Sequence, residues 1–584
     1  MTTWLILLAI VIYGVSYLTY GRGLERSVVK ADNSRPTPAH AMYDGVDYAP
    51  GHPLAIYGHH FASIAGAGPI TGPAIAIVWG WLPALVWVWF GNVVIGAVHD
   101  YLSVMASVRS EGKSVQWIAG KVMKPRTSVV MMVFIYLTLI LVVAAFMSVA
   151  GNNFVANPEV PTATFLFIVG AVIFGWLYYR MKVNFAVATI VGLALSALAM
   201  WIGYVWPWHA AFHTWIIVLI VYAVLASSLP VWLLLQPRDY LNAYILFFGL
   251  ALGSIALLVA VKDVTIPAYT MWSAPAVGGV PSPFWPTIPL VIACGSLSGF
   301  HSLVASGTTS KQLDKESHGL PVGYGAMLTE GLLATLVVTS MGAFALPVLS
   351  GVSDRVVALG VSLEQLAADK VYFAQNLLKA AGPVGGALGL FTHSYGHALS
   401  DVFGLSTRLG SLFAGLWVTA FVMTTLDTAT RLGRFTWQEL LEPLRRSSTG
   451  AHRVLTNRWV GGAIVALLAA WLAWDGAYTK VWSAFAGANQ MVAAVAMLTM
   501  AMWVLKVQKA GGYQWAVTVP GLFLWVTVFA GVLWYIWAVP VTAAIKVIFA
   551  VMAALALLLL VDFSISYREV RAGVAPGVAA GGGR

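Results

Sequence analysis

Charge is scarce in this chain: 9% of its 584 residues are Asp, Glu, Lys or Arg, against 60% that are hydrophobic. Soluble domains carry about 25% charged residues, so the shortage excludes a soluble fold and points to a polytopic membrane protein. Cysteine is scarcer still. The single thiol, Cys294, lies in an apolar run, which excludes an intrachain disulfide and a cysteine metal cluster. No Lys or Arg precedes Arg22, so the apolar stretch 4–20 lacks the basic flank of a secretory signal and is expected to persist as a first helix. The formal charge of +10 would suit nucleic acid, but the basic residues fall in short loops between apolar runs, where they report orientation instead. A nucleophile motif and a metal framework are also missing, so an enzyme is not expected.

What is present is a regular alternation of apolar runs and basic loops. It predicts an all-α chain of about 15 transmembrane helices. With the loop of Arg22, Arg26, Lys30 and Arg35 in the cytoplasm, the N-terminus is expected outside, and 25 of the 32 Lys and Arg fall on the cytoplasmic side. Lys262, Arg355, Lys370, Lys379 and Lys480 are left outside. The loop from Ser350 to Gly382 is expected to be external, the stretch beyond Asp427 cytoplasmic, and 384–403 a Gly-rich surface or re-entrant helix between them. The predicted organisation is an N-terminal helix and loop (1–53), a core (54–427), a basic cytoplasmic loop (428–458), four C-terminal helices (459–562) and a cytoplasmic tail (563–584). The ending GVAAGGGR has nothing to bury and is expected to be disordered.

The core divides into two sets of five spans, 54–205 and 214–427. Because five is odd, the second set runs opposite to the first, which predicts an inverted repeat whose broken helices meet at a midplane site. The first break is HHFASIAGAGPITGPAIAIVWGWL (59–82), interrupted by Gly66, Gly68, Pro69, Gly72 and Pro73. An unwound backbone is tolerated at membrane depth only where protein or a polar cavity satisfies its amides. Pro69 and Pro73 suit the opening turn of a new half-helix. The amides of Ile70, Thr71 and Gly72 are then expected to face the break with the positive end of the helix dipole, ready for a carboxylate. Ser63, Gly66, Gly68 and Pro69 complete this candidate substrate site, and the second break is placed at Ser227, Ser228 and Pro230. The alternative is a bend packed against a neighbour with no ligand.

A second constellation is CGSLSGFHSLVASGTTSKQ, with hydroxyls at Ser296, Ser298, Ser302, Ser306, Thr308 and Thr309. Together with freed carbonyls such as that of Ala65, they would make an oxygen cage for Na⁺. Serine and threonine also bond their own helix, which is the competing reading. Ionisable residues at membrane depth are site hypotheses by default. Among these, His301 and Glu330 lie deepest and are candidates to carry H⁺. His59 and His60 sit beside the break. His99, Asp100 and Asp427 are expected to serve as caps or ion pairs, Asp427 with Arg431. His393, His397 and Asp401 fall at i, i+4 and i+8, which metal ligands can use, but they read more simply as a solvated face. No metal and no cofactor beyond the coupling ion is expected.

The segments GHHFASIAGAGPITGPAIA (58–76), LPVWLLLQPRDYLN (229–242), SGFHSLVASGTTSKQL (298–313), GYGAMLTEG (323–331) and LDTATRLGRF (426–435) resemble the signature segments of the carbon starvation protein A family over about residues 1–445. At His99, where relatives more often carry glutamine, and before Asp427 the chain departs from that pattern. The resemblance implies a cytoplasmic-membrane transporter of the amino acid–polyamine–organocation type, taking up peptides or pyruvate, with proton coupling for pyruvate carriers. It carries over to Gly66, Gly68, Pro69, Pro230, Pro237, Arg238, Asp239, His301, Ser302, Thr308, Thr309 and Glu330. The expectation is a secondary active transporter importing a small carboxylate-bearing nutrient with H⁺ or Na⁺; a passive channel is the rival reading.

Overall fold

The computed structural model describes residues 1–44, 48–229, 233–475 and 478–573. Pro230 and the Gly-rich ending 577–584, both singled out above, lie outside the described residues. Long apolar runs leave a backbone in lipid no partner but itself, so helices dominate. We label the principal ones α1 (Thr2–Val29), α2 (Pro53–Ala65), α3 (Gly68–Ala76), α4 (Trp81–Val108), α5 (Pro125–Ala156), α6 (Glu159–Gly175), α7 (Phe185–Val205), α8 (Phe212–Ser228), α9 (Leu235–Ala260), α10 (Phe284–Val291), α11 (Gly299–Gly307), α12 (Ala326–Ser350), α13 (Gly386–Phe403), α14 (Thr407–Leu440), α15 (Arg458–Ala473), α16 (Tyr478–Trp503), α17 (Trp515–Ala538) and α18 (Ala543–Arg571). Among the described residues, 11 helices are long and apolar enough to cross a membrane, or 13 if each bent pair is one span. The spans expected at 214–235 and 285–309 are shorter pieces: α8, and the pair α10 and α11 on either side of an unwound stretch.

Two local departures from the expected all-α pattern have physical causes. A hairpin of Ser273–Val277 with Val280–Pro283 forms between α9 and α10. The irregular segment that leads into it serves the end of the first broken helix, because Thr270 donates through its N–H to the Trp79 carbonyl at 3.1 Å and through Oγ1 to that of Val78 at 2.6 Å. Those carbonyls are orphans of a helix C-terminus. The second departure is α13, expected as a surface or re-entrant helix. Its apolar residues Ala387, Leu388, Leu390, Phe391, Tyr395, Ala398 and Leu399 are all buried, because it packs between α12 and α14 and touches α3.

Ion pairs gather at two opposite sets of helix ends. Arg109 pairs with Glu316 at 2.9 Å and donates to Gln508 at 2.8 Å; Arg126 pairs with Asp562 and Lys124 with Glu569, each at 2.6 Å. The other set joins the N-terminal amine to the Lys262 carbonyl at 2.8 Å, Lys262 to Asp401 at 2.9 Å and Arg408 to Glu159 at 3.0 Å. Between them α5 and α14 run along each other at the centre, with α2, α3, α10 and α11 packed nearby.

Candidate functional site

The first broken helix is broken where the sequence demands it. Between α2 and α3 the chain turns by 41°, and Gly66 takes φ +35°, a backbone that side chains with a Cβ rarely adopt. A Cβ there would also sit 2.9 Å from Thr425 Oγ1 and 3.1 Å from the Phe146 ring, so α5 and α14 wall the break. Ser63, Ala65, Gly68, Pro69, Ile70, Thr71 and Gly72 are all buried. The amides do not behave as expected. Ala67 is already helical in conformation, so its carbonyl accepts from both Ile70 at 3.2 Å and Thr71 at 2.8 Å. These two N–H groups are therefore engaged.

The second break also needs correction. Ser227 and Ser228 end α8 rather than interrupting a helix, and Ser228 donates to the Arg458 carbonyl at 3.2 Å, away from the first break. The unwound stretch that meets the first break is Ile292–Ser298, between α10 and α11. Contact is close: a Cβ on Gly68 would strike the Cβ and Sγ of Cys294, one on Gly72 would lie 2.5 Å from the Val291 carbonyl, and one on Gly295 would lie 3.4 Å from Pro69. Small residues allow two backbones to approach inside a membrane.

That stretch exposes backbone groups which side chains from three helices satisfy. Asn92, in a π turn of α4, donates to the carbonyls of Gly295 at 2.8 Å and Met327 at 2.7 Å. Asn489 donates to Ala293 at 3.0 Å and accepts from the Phe300 N–H at 2.8 Å, while Gln490 donates to Ile292 at 3.0 Å and Leu297 at 3.1 Å. Glu330 Oε1 accepts from the Gly295 N–H at 3.0 Å. This is the compensation that irregular backbone requires at membrane depth.

Around it runs a wholly buried chain of ionisable groups. His99 Nδ1 lies 2.7 Å from Asp100 Oδ1, His301 Nδ1 lies 2.8 Å from Asp100 Oδ2, and His301 Nε2 lies 3.4 Å from Glu330 Oε2. His99 and Asp100, expected as caps or ion pairs, pair with each other, and Asp100 also meets His301 within this chain. Cys294, His301 and Glu330 bring potential ligand atoms within 4.8 Å of one another. The carboxylate on each side of one imidazole is equally the arrangement that lets a proton rest on it.

The cation cage fares differently. Ser296, Ser302, Ser306 and Thr308 donate to carbonyls three or four residues back, at 3.2, 2.7, 2.7 and 3.1 Å, the helix-bonding alternative. Thr309 instead meets His60 Nδ1 at 2.8 Å, tying α2 to the end of α11. Ser298 pairs with Asn489.

Asp427 does not pair with Arg431. Its partner is the buried Arg238, which also donates to Tyr222 at 2.6 Å and to Asp239 at 2.7 Å, while His59 Nδ1 lies 3.6 Å from Asp239. Arg431 donates to the carbonyls of Ala226 and Leu229, both at 2.8 Å, at the end of α8. Asp401 turns to Lys262, which leaves His393 and His397 half-buried along the wall of a cavity.

Sequence reasoning missed Asn92, Asn489 and Gln490. Each is a polar amide inside an apolar run, which was the available signal. The chain matches the family described as "Carbon starvation protein CstA" over residues 1–531. It belongs to the CstA family. A relative named "Peptide transporter CstA", from Bacillus subtilis (strain 168), is 31% identical, with 90% of this chain and 89% of that protein covered. The "Pyruvate/proton symporter BtsT" of Escherichia coli (strain K12) is 28% identical, covering 89% of this chain and 80% of that one. A solved manganese transporter from Eremococcus coleocola covers 90% of this chain and 98% of its own at 12% identity and a TM-score of 0.43. The CstA match extends past α16, which supplies Asn489 and Gln490, and ends within α17.

Proposed function

We propose that this chain is a secondary active transporter that imports a small carboxylate-bearing nutrient, a peptide or pyruvate, across the cytoplasmic membrane, coupled to protons. The observation that carries the reading is a set of buried polar atoms at the two touching breaks: Thr71 Oγ1, Thr425 Oγ1 and His60 Nε2 have no hydrogen-bond partner, and His301 Nε2 and Glu330 Oε2 have only each other, at 3.4 Å. Such groups are costly in isolation. A substrate held by the two threonines and a proton shared by His301 and Glu330 would satisfy them. The relatives named as a peptide transporter and a pyruvate/proton symporter support the substrate class and the choice of H⁺ over Na⁺.

The residues at the touching breaks are buried, so transport requires the packed elements to rock apart in alternation. Antiparallel α2–α3 and α10–α11 are the pair of broken helices this needs. An inverted repeat whose first half begins at α2, as expected, and whose second half begins at α10 rather than at 214 would account for their opposite directions. The orientation follows the basic loops: the helix ends joined by Arg109, Lys124 and Arg126 face the cytoplasm, and those joined by Met1, Lys262 and Arg408 face outward.

Uptake of labelled pyruvate and of labelled di- and tripeptides into proteoliposomes, under imposed pH and Na⁺ gradients in turn, tests the proposal. Accumulation driven by an inward proton gradient is expected. Flux of neither class under either gradient refutes the importer, and downhill flux that no gradient drives would establish the channel.

A further inference from the structure

A cavity of about 860 Å³ opens where α5 ends and α14 begins, far from the breaks along both helices. On the orientation proposed above it is external. Its charge is one-sided. Glu159, the acidic group on its wall, is taken by Arg408 at 3.0 Å, and Arg408 also lies over the Tyr204 ring. Arg355 stands on the rim and forms no ion pair among the described residues; its guanidinium donates weakly to the Pro383 carbonyl at 3.4 Å. His393 and His397 line the wall one helical turn apart, and the Phe344 ring stacks on His397 at 6.4 Å between centroids, which holds that imidazole in place. Beneath the cavity, Asn153 Nδ2 donates to Thr419 Oγ1 at 2.8 Å, linking α5 to α14 in the path toward Phe146 and Thr425.

From this geometry we infer that the cavity is an outer binding site for the free carboxylate of the incoming solute, with Arg355 as its cationic anchor and His393 and His397 as hydrogen-bond donors. The inference rests on the importer reading and deepens it. A guanidinium with open donors recognises a carboxylate in a two-pronged fork, and two imidazoles supply further N–H groups. The volume lies in the range that encloses organic ligands, large enough for a short peptide. Asn153 and Thr419 then form the latch between this site and the breaks. Release of a single neutral hydrogen bond is a small obstacle, so the latch opens readily once α5 and α14 separate.

The test compares the wild-type chain with Arg355→Gln, Arg355→Lys and His393→Gln/His397→Gln in proteoliposomes, using labelled dialanine, its C-terminal amide and pyruvate. Arg355→Gln is expected to raise KM for dialanine and pyruvate about tenfold, the loss of one charge-assisted contact, at unchanged maximal rate. Arg355→Lys restores part of it, and flux of the amide is indifferent to Arg355. A KM within twofold of wild type for Arg355→Gln, or an equal change for the amide, overturns the inference. Equilibrium binding of labelled dialanine to the full chain in nanodiscs separates this from the importer reading. Wild-type binding that Arg355→Gln weakens upholds the outer site even where no flux occurs, and binding unaltered by Arg355→Gln, or none at all, refutes it.

Discussion

The backbone N–H of Gly295 donates to Glu330 Oε1 at 3.0 Å, while the other oxygen of the same carboxyl lies 3.4 Å from His301 Nε2. One side chain thus touches both the unwound backbone and the candidate proton carrier. Gly295 in turn packs against Pro69, so the link extends from a titratable group to the first break through a single residue.

Glu330→Gln keeps an oxygen for the Gly295 N–H and removes the ability to ionise. Proton-driven accumulation is expected to collapse, because the side chain can no longer take up and release a proton. Substrate exchange without a gradient is expected to stay near wild type. Parallel uptake and counterflow measurements on the same proteoliposomes check this; equal loss of both would assign Glu330 a purely structural part.

Arg238 and Asp427 are both buried and joined directly, with Tyr222 and Asp239 completing the cluster. Breaking one partner of such a pair costs about 3–5 kcal/mol, because the survivor is left as an uncompensated buried charge. Arg238→Met is therefore expected to lower the thermal unfolding midpoint in detergent sharply, because it leaves both Asp427 and Asp239 without their cation, and Asp427→Asn to lower it less, because Arg238 keeps Asp239. Tyr222→Phe, which deletes one hydroxyl, costs only about 1 kcal/mol.

Gly68 has no room for a methyl group because Cys294 stands against it. Overpacking of this kind typically costs 1–3 kcal/mol, and here it would force the two breaks apart. Gly68→Ala is expected to abolish uptake while the protein still inserts. Cys294→Gly, which clears the opposing Cβ and Sγ, is expected to restore part of the flux in the double variant. Rescue measured by dialanine uptake, against normal insertion by membrane fractionation, distinguishes a close approach of two backbones from a general folding defect.

The first break was legible because its cause is local: five Gly and Pro residues within eight positions leave a helix no way through. The second was not. Ile292–Ser298 holds one glycine and no proline, so nothing local marks it, and the neighbouring hydroxyls invite a cation reading that their own carbonyls pre-empt. Pairings across the bundle were equally hidden. Asp100 meets His301 at a separation of 201 residues and Arg238 meets Asp427 at 189, whereas Arg431, four positions from Asp427, is the partner that proximity in the chain suggests. Which side chains converge is decided by tertiary packing of helices that look alike in hydropathy.

Asn489 and Gln490 sit side by side on α16 and reach different parts of the same unwound stretch. Asn489 holds the Ala293 carbonyl and the Phe300 N–H; Gln490 holds the carbonyls of Ile292 and Leu297. Replacing Asn489 with Leu orphans the Ala293 carbonyl and the Phe300 N–H, and replacing Gln490 with Leu orphans the Leu297 carbonyl while that of Ile292 keeps the Ser296 hydroxyl, at about 1–3 kcal/mol for each orphan. Both variants are expected to be less stable, with Asn489→Leu the worse because it orphans a donor as well as an acceptor and opens the first turn of α11. The turn that loosens carries His301, so Asn489→Leu is also expected to shift the pH dependence of uptake, whereas Gln490→Leu is expected to lower stability with the pH profile unmoved. Thermal unfolding and uptake measured across pH 5–8, the window in which histidine titrates, separate the two; identical profiles for both variants would mean that α16 props the backbone without influencing the proton site.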